Sequence, residues 1–170
     1  GKRTQVKEGS HYTVVKGERL GFGVQSSDQM RYEVEKKLGS GSFGTVVAAV
    51  DTQGCWPGTE VAIKVVRKEL RFLRQAKIEA TLLKELKSNA PGLTLELLDD
   101  FEWNGHKCFV FQRGQMNLYN LLGMTRFKGF ALEVVADIGR QLVVALNRLA
   151  QPDLQLIHAD MKPENIMIQA

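Results

Sequence analysis

Two short apolar runs, Leu156-Ile157 and Ile166-Met167-Ile168, flank the polar stretch His158-Ala159-Asp160-Met161-Lys162-Pro163-Glu164-Asn165. Within six residues this loop offers a carboxylate, an ammonium and a carboxamide. A carboxylate can accept the proton of an attacking hydroxyl, and an amide oxygen can ligate magnesium. An ammonium can offset charge on a moving phosphoryl group. Taken alone, such a loop is more often a plain surface turn. It gains weight from two features upstream.

The first is Gly39-Ser40-Gly41-Ser42-Phe43-Gly44-Thr45-Val46. Three glycines in this spacing suit a turn that closes over phosphates, although any tight turn or dinucleotide-binding loop can produce the same pattern. The residues after Gly44 separate these options. Thr45, Val46, Val47, Ala48, Ala49 and Val50 are β-branched or small and apolar, so they favour a strand, whereas a dinucleotide fold needs a helix there. The second feature is Lys64, the lone charge in Val61-Ala62-Ile63-Lys64-Val65-Val66. It has a candidate partner in Glu79, which sits on the apolar stripe of the next helical segment. A carboxylate on such a stripe is costly to bury unless it meets a cation. The bland alternative is that both charges snorkel to solvent.

These groups must be held by the elements around them. Residues 32–38 alternate apolar and charged, as a half-exposed strand does. The glycine loop and its return strand end near Asp51. Residues 51–59, with Gly54, Pro57 and Gly58, predict a turn that carries Trp56 outward, and Glu60 to Val66 is the next strand. A helix is expected from about Glu69 to Ser88, with Phe72, Ala76, Leu83 and Leu86 on its inner face. After Pro91-Gly92, Leu93–Phe101 and Lys107–Phe111 predict strands joined at Asn104-Gly105. The result is a five-stranded antiparallel sheet with one long helix packed on it. Gln112 to Gln115 looks like a connector, and helices follow at Leu118–Leu122 and Phe130–Ala150. The second has Leu132, Val135, Leu142, Leu146 and Leu149 on its inner face. Composition therefore shifts from strand-rich to helix-rich near residue 112, and a ligand cleft is expected at that junction. Ahead of the sheet, residues 1–29 form a polar lead-in with a strand-like run at Tyr12–Val15 and glycines at 17, 21 and 23. There is no internal repeat, low-complexity segment or flexible linker.

Composition narrows the function classes. At 170 residues, with 44% hydrophobic and 25% charged residues, the chain has the profile of a globular protein rather than a disordered one. A net charge of +4 without a dense basic cluster gives no specific support for binding nucleic acid, and Lys2, Arg3 and Lys7 suit a solvated tail. The two cysteines, Cys55 and Cys108, lack metal-ligand spacing and suit a reducing interior. No apolar run reaches membrane-spanning length and no signal-peptide core is present, so an intracellular location, cytoplasmic or nuclear, is expected. Gly1 stands where an initiator methionine would, and Ala170 follows directly on an apolar run. Both ends look cut.

Glycine loop, strand lysine, helix glutamate and polar loop follow one another in the order of the protein-kinase signature. The chain resembles a eukaryotic protein kinase catalytic domain (an α+β fold) from the segment before the small lobe through the catalytic loop. Within that superfamily it is most similar to the dual-specificity tyrosine-regulated kinases and the homeodomain-interacting protein kinases. The residues that carry this likeness are Gln75-Ala76-Lys77-Ile78-Glu79, Phe109-Val110-Phe111, Asn117-Leu118-Tyr119, Leu156-Ile157-His158-Ala159-Asp160, and Lys162-Pro163-Glu164-Asn165-Ile166-Met167. The tail His11-Tyr12-Thr13-Val14-Val15 adds to it, and His158-Ala159-Asp160 leans toward the homeodomain-interacting group.

The resemblance implies a lead-in over 1–29, a small lobe over 30–111, a hinge at 112–115 and the start of a large lobe over 116–170. It implies ATP and Mg2+ as cofactors and protein substrates phosphorylated on serine or threonine, with tyrosine as a further option. Gly39, Ser40, Gly41, Ser42, Phe43, Gly44 and Thr45 would line the phosphates, with Phe43 at the tip. Leu38, Val46 and Ala62 would sandwich the adenine, and Lys64, oriented by Glu79, would hold the α- and β-phosphates. Phe111 would guard the back of the cleft, Gln112, Arg113 and Gly114 would form the hinge, and Asn117 would lie near the ribose. Asp160 would be the catalytic base, Lys162 would neutralise the transferred phosphate, and Asn165 would bind the metal.

Ala159 stands where many kinases carry arginine, so a phosphorylated activation loop could not be held by that contact; both resembling families also lack that arginine. Gln112-Arg113-Gly114 departs from their usual acidic-then-apolar hinge. No Asp-Phe-Gly motif occurs in the 170 residues. These residues alone are therefore expected to be inactive and to expose apolar surface, including the inner face of 131–150. Two hypotheses follow: a fragment of an active kinase, or a truncated, non-catalytic kinase-like module that binds nucleotide or a partner. Intact Lys64, Glu79, Asp160 and Asn165 count against the second. Oligomeric state is not legible.

Overall fold

The computed structural model describes residues 11–21, 30–53, 57–114 and 116–168. Lys2, Arg3, Lys7, Gly23, Cys55, Trp56 and Gln115, which figure in the sequence-based expectations, lie outside them. The chain divides into two units: Gly1–Asn89 with Leu95–Arg113, and Ala90–Thr94 with Gly114–Ala170.

The first unit is built on an antiparallel sheet. Its strands are β1 (Arg19–Gly21), β2 (Met30–Gly41), β3 (Gly44–Asp51), β4 (Thr59–Val66), β5 (Leu97–Trp103) and β6 (His106–Gln112), and helix α1 spans Leu70–Asn89. The sheet order is β1-β2-β3-β4-β6-β5, so the five expected strands gain a sixth at one edge. Tyr12–Val15, expected as a strand, is not one. Gly17 sits at φ 80° and turns the chain, so bonding to β2 begins only at this residue. There the Gly17 N–H donates to the Val34 carbonyl at 2.7 Å, and the Val34 N–H donates to the Glu18 carbonyl at 2.9 Å. Strand β5 likewise begins at Leu97 rather than Leu93, because the turn after α1, with Gly92 at φ 79°, runs through residues 90–94. The β5–β6 hairpin turns at Asn104 (φ 47°) and Gly105 (φ 80°), left-handed at both central residues as a type I′ turn requires.

Strand alternation sorts the side chains onto two faces. Val61, Ile63 and Val65 of β4 join Tyr32, Val34, Val47, Ala49, Phe101, Cys108 and Val110 in one buried cluster, which Tyr12 and Leu20 cover. Val66 and Phe109 lie on the other face with Phe72, Ala76 and Ala80 of α1 and Leu97, and Leu83 packs against them. The expected inner face of α1 is thus present, with Ala80 added and Leu83 only partly buried. Cys108 is an unpaired thiol, and burial pushes its pKa up to about 12, so it behaves as a small apolar residue.

The second unit contains β7 (Met116–Asn117), α2 (Leu118–Met124), α3 (Leu132–Leu149), a 3-10 turn at Pro163–Asn165, and β8 (Met167–Ile168). Strands β7 and β8 pair antiparallel through Met116 with Ile168 and Asn117 with Met167. The Leu118 N–H donates to the Ile166 carbonyl at 2.8 Å, tying the start of α2 to this pairing. Of the expected inner face of α3, Leu149 is buried and Leu142 half-buried, whereas Leu132, Val135 and Leu146 are exposed. No helix among the described residues is long and apolar enough to cross a membrane.

Candidate functional site

The glycine loop is a hairpin whose tip is two residues, Ser42 and Phe43, between the paired Gly41 and Gly44. None of Gly39, Gly41 and Gly44 has a positive φ, so the backbone conformation does not demand glycine. Space does at one of the three. A Cβ on Gly44 would lie 2.2 Å from the Val65 carbonyl oxygen, because β3 presses against β4 there. At Gly39 and Gly41 a Cβ would meet nothing within 4 Å, so no neighbouring protein atom excludes one. Thr45 is buried beside Gly44, Leu38 and Phe43 are exposed, and Ser40 and Ser42 lie on the surface.

Directly opposed residues of an antiparallel ladder share a face. Val46 opposes Lys64 and Ala48 opposes Ala62, and on the far side Ala62 opposes Phe111 and Lys64 opposes Phe109. Val46, Ala62, Lys64 and Phe111 therefore stand on one face of the sheet, the face that also receives α1. From that helix Glu79 reaches Lys64, with Nζ to Oε1 at 2.5 Å. The pair is only partly exposed, 28% and 34%, so it is neither snorkelling nor sealed in the core. The Lys64 ammonium also lies 5.8 Å from the Phe109 ring centre, a contact that required the β4–β6 register to find.

The connector residues divide between the units. Gln112 ends β6 and is exposed, while Arg113 pairs with Glu60 at 2.6 Å and with Glu35 at 3.7 Å. Gly114 belongs to the second unit, where a Cβ would meet Met167 Cε at 2.6 Å. Asn117 Oδ1 accepts from the Asn120 N–H at 2.8 Å and so caps α2. That capping role was not visible in the sequence-based assignment.

In the second unit the polar loop gathers its three candidates. Lys162 Nζ lies 2.9 Å from Asp160 Oδ2, and Asn165 Nδ2 donates to the same oxygen at 2.9 Å and to the Asp160 carbonyl at 2.8 Å. Ala159, just before, is held at φ 59°, a strained setting for a residue with a Cβ. Lys162 and then Asn165 hold the Asp160 carboxyl below its ordinary range, and Asp160 in turn raises the Lys162 ammonium. All three side chains are exposed. Because Nδ2 of Asn165 faces Asp160, Oδ1 is the atom its amide has to offer a cation. Among the described residues no group of three or more His, Cys, Asp or Glu could hold a metal. A single amide oxygen fits a magnesium-type ion that keeps waters and phosphate oxygens in its shell, and does not make an all-protein cage. Chemically, the first unit can hold an anion at a fixed cation, and the second can accept a proton at a carboxylate braced by a cation.

The profile described as protein kinase domain matches residues 32–170. The chain is 38% identical over 142 residues, 82% of its length, to a putative dual specificity tyrosine-phosphorylation-regulated kinase 3 homolog of Drosophila melanogaster, of which the match covers 16%. It is equally similar, 38% over 142 residues, to the dual specificity tyrosine-phosphorylation-regulated kinase mbk-2 of Caenorhabditis briggsae and of Caenorhabditis elegans, covering 17% of each. The chain thus spans about one sixth of the length of these curated relatives.

Proposed function

This chain belongs to the protein kinase family, and on that premise we propose that it is part of an ATP-dependent kinase that phosphorylates proteins on serine or threonine, with tyrosine as a further option. The observation that carries the proposal is the Lys64–Glu79 pair at 2.5 Å, on the sheet face that also bears Val46 and Ala62. A lysine fixed by a carboxylate presents its charge in one place, which suits binding of α- and β-phosphates better than a mobile surface lysine would. Leu38, Val46, Ala62 and Phe111 offer apolar area to an adenine ring, and the bare backbone at Gly39 and Gly41 offers N–H groups to phosphate. Asp160 takes the proton of the substrate hydroxyl, and Lys162 offsets charge on the transferred group. A divalent ion, Mg2+ in this proposal, would be held through Asn165 Oδ1 and supply charge neutralisation at the phosphates.

The proposed division is a lead-in over 1–29, a small lobe over 30–111, a hinge at 112–115 and the start of a large lobe over 116–170, in a protein working inside the cell. The 170 residues by themselves are proposed to be inactive, since the aspartate that is the chief metal ligand in the family mechanism is not among them.

The test is phosphate transfer from labelled ATP to serine-, threonine- and tyrosine-containing peptides, using the whole protein that carries this segment. Transfer that disappears in Lys64→Met and in Asp160→Asn is the expected result. A whole protein that binds ATP without transferring it, or transfer untouched by Asp160→Asn, would sink the catalytic reading. Turnover by the 170 residues alone, abolished by Asp160→Asn, would sink the inactivity proposal.

A further inference from the structure

A two-residue hairpin tip that extends past its sheet has little to hold it and frays readily. The tip at Ser42-Phe43 is instead tied down from a neighbouring segment. The Arg67 N–H donates to the Phe43 carbonyl at 3.0 Å, and Arg67 Nη1 donates to the Ser42 carbonyl at 3.4 Å. The Phe43 ring meets the ring of Phe72, in the first turn of α1, at 5.6 Å in an edge-on arrangement. Phe72 is 7% exposed, so it is a packed platform, while Phe43 at 49% is the exposed partner.

Arg67 is itself held in place. Its guanidinium lies 5.4 Å from the Phe72 ring centre, and that of Arg71 lies 4.4 Å from it. Glu69, between them in sequence, pairs with both guanidinium groups and orients them. Phe72 and Glu79 lie seven positions apart on α1, about two turns, and so on one face of the helix. The helix that fixes Lys64 through Glu79 therefore also fixes the loop tip through Phe72.

We infer that Arg67 is a positioning residue for the glycine loop, strapping its tip to the start of α1 so that loop and helix move together. The inference deepens the kinase proposal, and its consequence for nucleotide affinity rests on that proposal. The strap itself is a property of the first unit. Without the side chain of Arg67 the tip keeps one backbone bond and its ring contact but loses the second carbonyl contact, and Phe72 loses one of the two cations beside its ring. The loop then spends more time lifted, and phosphate contacts from the backbone at Gly39 and Gly41 weaken.

The experiment is hydrogen exchange across residues 38–46 in the whole protein, for the native sequence and for Arg67→Ala, Arg67→Lys, Phe72→Leu and Arg74→Ala, together with ATP affinity for each. Arg67→Ala and Phe72→Leu are expected to speed exchange at the tip about fivefold while β4 and the rest of α1 keep their native rates. ATP binding is expected to weaken by a similar factor of about five. Arg67→Lys keeps a charge for Glu69 but not the planar, multi-donor guanidinium, so it should recover only part of the protection. Arg74 is exposed on the same helix, and its replacement should change neither quantity. Tip exchange within about twofold of native in Arg67→Ala, or acceleration shared equally by β4 and α1, would overturn the strap. Native protein that fails to bind ATP would remove the kinase proposal, while the exchange rates would still decide for or against the strap.

Discussion

Lys162, at 2.9 Å, and then Asn165 stabilise the ionised form of Asp160, so its carboxyl titrates below the ordinary aspartate range. In its proposed role as base, Asp160 limits the rate only when it is protonated, so the acid limb of kcat/KM should lie below the ordinary aspartate value of about 4. Removing the ammonium raises the carboxyl pKa, so Lys162→Ala should shift that limb toward higher pH as well as slow the reaction. An unmoved limb would separate Lys162 from the proton transfer.

His106 provides a second titration, in stability rather than rate. Its Nδ1 lies 2.6 Å from the Val66 carbonyl, which can only accept, so the ring proton sits on Nδ1. Burial, with a smaller push from Lys68, lowers its pKa, and the Tyr12 ring packs edge-on at 6.0 Å. The folded protein thus prefers neutral imidazole. The sign follows: this stability is fully present above the unfolded value of about 6.5 and is lost as pH falls through the lower folded value. His106→Gln should melt lower at pH 7.5 yet lose less melting temperature than the native protein on going to pH 5. Equal losses would show that another group governs the acid side.

At the scale of elements, the glycine loop separates what spacing reveals from what it conceals. The pattern of three glycines and the lysine strand was legible because both rest on local rules, a turn and an alternating strand. The reason for each glycine was not. Gly44 answers to the Val65 carbonyl across the β3–β4 ladder, a contact set by register between strands, whereas the space at Gly39 and Gly41 is open. Gly44→Ala should therefore cost about 1–3 kcal/mol of folding stability through overpacking. Gly41→Ala should stay within about 0.5 kcal/mol and instead weaken ATP binding. Denaturant titrations of both variants, read beside nucleotide affinity, check this, and equal destabilisation would contradict it. The same logic explains the other gaps. Helix α1 was readable from its apolar period, and Glu79 from its odd place on that stripe. Propensity favours a strand at Tyr12–Val15, but the left-handed turn at Gly17, which propensity does not report, delays the strand to β1. The cap that the Asn117 side-chain oxygen gives α2 is not legible in the sequence, since capping depends on where the helix starts.

For the whole molecule, burial is unevenly divided. The first unit places apolar residues on both faces of its sheet, with Leu20, Val47, Ile63, Val65, Cys108, Phe109 and Val110 at 0% exposure. In the second unit buried apolar residues are few, among them Leu118, Leu149 and Leu154, while α3 leaves Leu132 at 78%, Val143 at 66% and Val144 at 59%. Burial of apolar area is the main favourable term in folding, worth roughly 25 cal/mol per Å2, so the second unit has much less holding it together. The 170 residues on their own should accordingly show fast amide exchange along α3 and slow exchange in β4 and β6. They should also bind an apolar dye and self-associate as concentration rises, because a contiguous apolar helix face in water is an adhesive surface. Replacing Val143 and Val144 together with lysine should reduce both dye binding and association while leaving exchange in β4 and β6 unchanged. If association persists undiminished in that double variant, the adhesive surface lies elsewhere, and the exposed face of α3 is not what drives it.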